Sequence, residues 1–187
     1  GGANCGTSRR MESVTQRALD HVVLPTRDLK VARSRLERLG FTVAPQAKHP
    51  LGTQNACVYF PDRTHLEPLA VYDQDKEVAA FHAGNVFAKR DWAYRYRRGE
   101  EGFSGIAFKT DDADADDARM RANGVSAGDL LEFSRDFVTA DGAKDKASFR
   151  LAFASDPRAP DFLLFTCQRL NAPTVDRSAL QTHLNGV

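Results

Sequence analysis

Cysteine is scarce in this 187-residue sequence, in which Cys5, Cys57 and Cys167 stand far apart and form no Cys-X-X-Cys pair. This spacing argues against a disulfide framework and against a structural zinc site built on cysteines. Cys57 and Cys167 lie among strand-forming residues, where a cysteine is more often a small buried side chain than a nucleophile. We therefore expect a reducing compartment, the cytoplasm.

Long apolar runs and an excess of one charge are also lacking. No run approaches the roughly 18 apolar residues that a membrane span requires. The 26 Lys and Arg residues are balanced by 25 Asp and Glu residues, which leaves a formal net charge of +1. A nearly neutral chain has no overall field that attracts nucleic acid or an anionic membrane, so we expect neither as a partner.

Motifs of several enzyme classes are missing from the sequence. It contains no glycine pattern typical of nucleotide binding, no Walker motif and no nucleophile elbow. Catalysis through a serine or cysteine nucleophile is therefore unsupported.

The sequence does contain an internal duplication. Residues 19–24, LDHVVL, recur 84 positions later, without a gap, as residues 103–108, FSGIAF. In each copy a candidate strand is followed by an Asp suited to cap a helix, an amphipathic or alanine-rich segment, and a Gly suited to end that helix. The two halves of the chain are thus built to one plan, and His21 of the first copy corresponds to Gly105 of the second.

Each half reads β-α-β-β-β. In the first half the helix is predicted over 29–39, and the strands over 19–24, 41–43, 55–60 and 65–71. In the second half the helix is predicted over 113–123, and the strands over 103–108, 130–133, 148–153 and 161–167. Two such units side by side predict an α+β fold: an eight-stranded, cup-shaped mixed sheet with the helices outside.

The same reading divides the chain into five regions. They are a disordered arm or tag remnant at 1–17, a first module at 18–80, a connector at 81–101, a second module at 102–170 and a C-terminal tail at 171–187. The connector is rich in aromatic residues and arginines, which would suit nucleic acid, but acidic residues interrupt it. A connecting helix or lid is the better interpretation. The semi-apolar stretch at the end of the tail raises the possibility of a longer natural chain.

The motifs carry a resemblance. LDHVVL at the start of the first copy and HLEPLAV at its end resemble the vicinal oxygen chelate superfamily, whose members include glyoxalase I, extradiol dioxygenases and fosfomycin-resistance proteins. More narrowly, LDHVVLPTRDL, HPLGTQN, HLEPLAV and LQTHLNG resemble the bacterial glyoxalase-like domain family. The resemblance covers residues 18–187.

This resemblance implies a metal site. His21 matches the ligand of the first strand and Glu67 the ligand of the last strand, and Glu67 also matches the proton shuttle of glyoxalase I. A neutral imidazole and a carboxylate suit a divalent Zn, Ni, Fe or Mn ion. In the second copy, however, Gly105 and either Leu163 or Leu164 occupy the ligand positions, so a further group would have to complete the site. The alternative is that His21 and Glu67 are structural.

The segment HPLGTQN, residues 49–55, is the other candidate site. Its turn-forming residues lead into a strand and can present His49, Thr53 and Asn55 to a substrate, and His49 is the next candidate for a metal ligand. Alternatively, Pro50 and Gly52 only shape the connection.

Two functions follow from these residues. The first is a metal-dependent lyase, isomerase or dioxygenase that acts on a small oxygenated metabolite, with Glu67 as the catalytic residue. The second is a metal-free protein that binds or sequesters a small molecule in an apolar cup. In either case edge strands that pair between chains would favour a homodimer.

Overall fold

The computed structural model describes residues 16–138, 144–171 and 176–187, except for the side chains of residues 137 and 138. The predicted arm at 1–17 therefore lies almost wholly outside the described residues, as do Cys5 and residues 172–175 of the predicted tail. The helices are α1 (Leu29–Arg38), α2 (Gln74–His82), α3 (Val86–Arg98), α4 (Ala113–Ala122) and a 3-10 helix (Ser178–Gln181). The strands are β1 (Leu19–Pro25), β2 (Ala47–Lys48), β3 (Thr53–Asn55), β4 (Val58–Tyr59), β5 (His65–Val71), β6 (Gly105–Lys109), β7 (Leu131–Val138), β8 (Lys144–Ala154) and β9 (Leu163–Asn171). Among the described residues, no helix is both long and apolar enough to cross a membrane.

All the strands belong to one mixed sheet. Eight of them follow the order β2-β3-β5-β1-β6-β9-β8-β7, and β4 adds to β5. In each half the first strand pairs in parallel with the last, β1 with β5 and β6 with β9, and the halves join through the antiparallel pair β1 and β6. Because β2 also contacts β7, the sheet is nearly closed. The α+β, cup-shaped sheet predicted from the duplication is confirmed.

Both duplicated helices begin where the sequence predicts and end one residue earlier than predicted. The carboxylate of Asp28 accepts hydrogen bonds from the backbone N–H groups of Lys30 and Val31, which caps α1. Asp112 caps α4 in the same way through the N–H of Ala115. Side-chain capping of this kind satisfies N–H groups that have no partner within the helix.

The strand predicted at residues 41–43 is wrong. The backbone N–H of Thr42 donates 2.9 Å to Nδ1 of His183, and the ring of Phe41 packs edge-on against the same imidazole. The C-terminal tail therefore takes the place that a neighbouring strand would have, and the second strand of the module forms later, as β2. The strand predicted at 55–60 is also divided, into β3 and β4, by Ala56 and Cys57.

The predicted connector at 81–101 contains α3 and only the last two residues of α2, which begins at Gln74 in the predicted first module. Asp73 caps α2 and Asn85 caps α3, each by accepting a backbone N–H with its side chain. Gly84, at φ +88°, lies between the two helices. The helical hairpin leaves Val86 and Phe87 of α3 packed in the core that also holds Phe165.

Two cores lie on opposite faces of the sheet. On the convex side, Leu29 of α1 packs over Val58 and Ala70. On the concave side, Val23, Leu69, Phe153 and Phe165 are almost fully buried, together with the start of α3. We call this concave side the cup. Side chains alternate between the two faces of a strand, so His21 and Glu67, two positions before Val23 and Leu69, also point into the cup.

Gly52 connects the cup to α2. Its carbonyl accepts the N–H groups of Tyr72 and Asp73 at 2.9 and 3.1 Å, which fixes α2 against the turn between β2 and β3. The φ of Gly52 is +90°, and a Cβ atom there would collide with the carbonyl of Asp73 and lie 2.8 Å from the N of Glu77.

Replacing Gly52 with Ala is therefore expected to lower the free energy of unfolding by about 2–4 kcal/mol, as backbone strain and overpacking add. Gly84→Ala is the matched control, because its φ of +88° is similar and nothing lies within 4 Å of an added Cβ. It should cost about 1 kcal/mol. Urea unfolding measures both variants, and equal losses would show that the contact with Asp73 is unimportant.

Candidate functional site

A cavity of about 70 Å³ opens in the cup, and its lining combines polar and apolar side chains. Such a mixed lining is typical of a site for a small molecule. All five residues proposed from the sequence line it, namely His21, His49, Thr53, Asn55 and Glu67. The structure thus brings together the two separate candidate sites of the sequence analysis.

Glu67 is a buried carboxylate held from two sides. Asn55 donates a hydrogen bond of 2.8 Å from Nδ2 to Oε1. The other oxygen, Oε2, lies 3.4 Å from Nε2 of His21. The side chain is buried with only a small exposed fraction, so these neighbours determine its orientation.

Asp20 orients His21, and the sequence analysis missed it. Strict alternation would turn Asp20 away from the cup, but β1 has a bulge between Leu19 and His21 opposite β6. A bulge inserts an extra residue and redirects side chains. Asp20 therefore lines the cavity, and its Oδ1 lies 2.6 Å from Nδ1 of His21.

The charge of Asp20 is secured by Arg169, which donates to Oδ2 at 2.6 Å and to Oδ1 at 3.3 Å. Burial alone would raise the pKa of Asp20, but the hydrogen bond with His21 and the guanidinium of Arg169 outweigh it and hold this pKa well below its usual range. A carboxylate that accepts from one ring nitrogen of a histidine fixes the tautomer and frees the other nitrogen to bind a cation.

His49, Thr53 and Asn55 form one hydrogen-bond network with Glu67. Nδ1 of His49 lies 2.9 Å from Oγ1 of Thr53, and its Nε2 lies 3.2 Å from Nδ2 of Asn55. Since Nδ2 of Asn55 is a donor, Nε2 of His49 must accept and its ring must be neutral. Burial agrees with this assignment, because it lowers the pKa of His49 to about 4.

His65 is a further group that the structure places beside His21. The two rings stack with centroids 4.5 Å apart, and Nδ1 of His65 is buried without a hydrogen-bond partner among the described residues. Asp20, His21 and His65 each place a potential ligand atom within 4.8 Å of the others. The sequence analysis had preferred His49 as the additional ligand, but the ring nitrogens of His49 are engaged by Thr53 and Asn55, so His65 is better placed.

These residues fit a divalent metal ion. With Nδ1–H of His21 donating to Asp20, Nε2 of His21 and Oε2 of Glu67 face each other as two acceptors, so a second proton or another cation must lie between them. Their separation of 3.4 Å also agrees with the spacing of about 3.3–3.6 Å between two ligands of a tetrahedral ion with bonds of about 2.0–2.2 Å. Two imidazoles and a carboxylate are a donor set of transition metals.

The second module contributes no equivalent ligands. The register pairs His21 with His65 and Gly105 with Leu163, so the counterpart of Glu67, two residues further on, is Phe165 rather than Leu163 or Leu164. A Cβ atom on Gly105 would lie 2.7 Å from the carbonyl oxygen of Leu163. The strands β6 and β9 therefore lie too close together at this point to admit a metal-binding side chain at position 105.

Neither described cysteine is a nucleophile. Cys57 and Cys167 are buried, and burial raises the pKa of each thiol to about 12. Their thiolate forms are negligible at neutral pH, which agrees with the interpretation of both as small core residues.

Comparison with known proteins identifies relatives of this fold. A family model described as a glyoxalase-like domain matches residues 19–187. A search of curated protein sequences finds no match. A crystal structure of a hypothetical protein from Staphylococcus aureus is similar, with a TM-score of 0.62 and 18% identity over 89% of this chain. This chain spans 64% of the length of that protein.

Two methylmalonyl-CoA epimerases also share the fold. That of Mycobacterium tuberculosis has a TM-score of 0.55 and 22% identity, and the match covers 88% of this chain and 95% of the epimerase. That of Streptomyces coelicolor, solved with 2-nitronate-propionyl-CoA, has a TM-score of 0.52 and 21% identity over 82% of this chain and 97% of its own. At these identities the comparisons establish the fold and leave the chemistry to the residues of the cup.

Proposed function

The chain belongs to the glyoxalase-like domain family of the vicinal oxygen chelate superfamily, and from that premise we propose that it is a metal-dependent enzyme that moves a proton on a small oxygenated molecule. The observation that carries the proposal is the pair formed by His21 and Glu67, two buried acceptors 3.4 Å apart in the cavity. Such a pair needs a cation, and its carboxylate is placed to act as a base.

His21 and Glu67 would hold the ion, and His65, whose ring stacks on that of His21, is the further nitrogen donor beside them. A divalent cation there would supply Lewis acidity toward two neighbouring oxygen atoms of a substrate. Asp20 keeps the Nε2 lone pair of His21 directed at this position, in the arrangement common around metal-bound histidines.

Glu67 would accept the proton from the substrate carbon at Oε2, once that oxygen is released from the ion as the substrate binds. Asn55 holds Oε1 at 2.8 Å, so the carboxylate is positioned before the substrate arrives. The apolar side chains on the other side of the cavity would limit competition from water for the carboxylate. Among the lyase, isomerase and dioxygenase activities expected from the sequence, this arrangement favours an isomerase or lyase that removes a proton next to a carbonyl group. The epimerases that share the fold act on methylmalonyl-CoA, and a similar proton transfer here is part of the proposal.

Metal content tests the proposal. Protein incubated with Zn²⁺, Ni²⁺, Fe²⁺ or Mn²⁺ and then desalted should retain about one ion per chain, and His21→Ala should reduce this to background, because it removes a central ligand. The exposed His82 on α2 lies outside the cup, so His82→Ala is the matched control. Elemental analysis measures the ions, and an unchanged metal content in His21→Ala would contradict the proposal.

A metal-free binding protein is the second candidate. It is favoured by the cup wall that the second module forms. There Phe165 stands in the position corresponding to Glu67, and the backbone at Gly105 leaves no room for a metal-binding side chain. In that case a second proton on His21, between Asp20 and Glu67, would replace the metal ion. Binding of a ligand that survives removal of all metal, with no proton exchange, would support this candidate.

A further inference from the structure

The cavity has two chemically different sides. The first module supplies the polar side described above, with Glu67 at its centre. The second module and α3 supply an apolar wall, consisting of Phe87, Leu131, Phe133, Phe149, Leu151 and Phe165. A ligand that fills the cavity must therefore combine polar atoms with an apolar body.

Positive charge exceeds negative charge among the described residues that line this cavity. Asp20 and Glu67 are the carboxylates, whereas Arg135, Arg169 and Arg177 are the cations. Arg169 is engaged by Asp20, through two hydrogen bonds. Glu67 is then the remaining carboxylate, opposite two further guanidinium groups.

Arg135 is unusual in its strand. The inward positions of β7 are Leu131, Phe133 and Arg135, which all line the cavity, while the residues between them are exposed. A charged side chain among apolar neighbours loses contact with water, and this costs free energy unless another group interacts with the charge. The guanidinium lies over the ring of Phe149, 5.8 Å from its centre.

Arg177 is held in a similar way from another part of the chain. Its guanidinium lies 4.8 Å from the centre of the Tyr59 ring, and both side chains line the cavity. An aromatic ring against the face of a guanidinium leaves the N–H groups at its edge available. Edge N–H groups bind planar carboxylates through two parallel hydrogen bonds.

We infer that the cup binds an amphipathic organic carboxylate, with Arg135 and Arg177 receiving the carboxylate and the apolar wall receiving an aryl or alkyl body. The inference names the ligand class of the site and rests on the proposed function for the location of that site. The two arginines are specificity-determining residues, whereas the proton transfer is assigned to Glu67.

The test uses two probes of equal shape, 4-phenylbutanoate and its neutral amide 4-phenylbutanamide. Calorimetry or NMR titration should show that the acid binds at least about tenfold more tightly than the amide, because charge-assisted hydrogen bonds are lost in the amide. Arg135→Gln and Arg177→Gln should each reduce this preference several-fold, and Arg177→Lys should reduce it less, since it keeps the charge but loses the planar fork. Arg158→Gln changes the net charge equally at an exposed turn away from the cavity, and should leave the preference unchanged.

Each probe is measured with metal-free protein and with metal-loaded protein, after thermal unfolding has shown that the variants are folded. A preference that depends on the arginines in both states supports the inference, even if the proposed catalysis fails. Equal binding of acid and amide would overturn it, as would a preference that persists in both arginine variants or that depends only on metal. Self-association of Arg135→Gln with unchanged binding of the acid would also overturn it, because Arg135 would then only protect the edge strand β7.

Discussion

Replacing Asp20 with Ala is expected to lower the free energy of unfolding by about 2–4 kcal/mol. Asp20 is fully buried, and its loss would leave His21 and Arg169 without their shared partner. Breaking a buried ion pair typically costs about 3–5 kcal/mol, and we reduce this figure because the side chain of Arg169 is 32% exposed. Chemical unfolding followed by circular dichroism measures the change.

The pH dependence of this loss identifies its cause. Because the pKa of Asp20 is depressed in the folded protein, its contribution is fully present above the unfolded value of about 3.9 and disappears as the pH falls toward the folded value. The difference between wild type and Asp20→Ala should therefore shrink as the pH falls below about 4. Asp156→Ala removes an exposed carboxylate that pairs with Arg158 and should change stability little. A difference that stays constant into strong acid would contradict the assigned ion pair.

Replacing Glu67 with Gln is expected to slow proton transfer by about 10²–10⁴-fold, the range typical of a lost general base. The amide has nearly the same shape but cannot accept the proton. The compound 4-phenyl-2-oxobutanoate combines a carboxylate, a vicinal carbonyl oxygen and acidic C–H bonds next to that carbonyl. Uptake of deuterium from D₂O at this carbon, observed by NMR, measures the step without knowledge of the natural substrate.

The experiment must distinguish the loss of the base from a loss of metal binding, because Glu67 is proposed to serve in both. Rates are compared per bound ion at saturating metal, so that weaker metal binding in Glu67→Gln does not imitate the loss of the base. Glu132→Gln changes an exposed carboxylate on the outer face of β7, where it pairs with Arg150, and should retain the wild-type rate. If Glu67→Gln exchanges at the wild-type rate per ion, another group is the base.

The scaffold was predictable because the signals that define it are local and occur twice. Asp28 and Asp112 cap their helices through hydrogen bonds to N–H groups two or three residues away, so a short stretch of sequence contains the whole interaction. The failed strand at 41–43 depends instead on His183, about 140 residues later. Strand propensity cannot reveal that a distant tail will satisfy the N–H of Thr42.

The residues of the candidate site also fall into those that local sequence signals predict and those that they do not. His21 and Glu67 follow from the resemblance together with alternation along β1 and β5, and alternation also places His65 on the face of Glu67. Asp20 could not be found by alternation, because the bulge in β1 breaks the period of two at that residue. Arg135 has a weak signal, a charged residue following Leu131 and Phe133 on the inward face of β7, but it is visible only once the register of that strand is known.

The close approach of β6 and β9 at Gly105 makes the difference between the two halves hard to reverse. Introducing a histidine at position 105 would require more than the imidazole itself, because even its first side-chain carbon would press on the backbone of Leu163. A symmetric four-ligand centre would therefore require β9 to move outward in addition to new ligand side chains. New chemistry in this scaffold is more accessible through substitutions along the phenylalanine wall than through position 105.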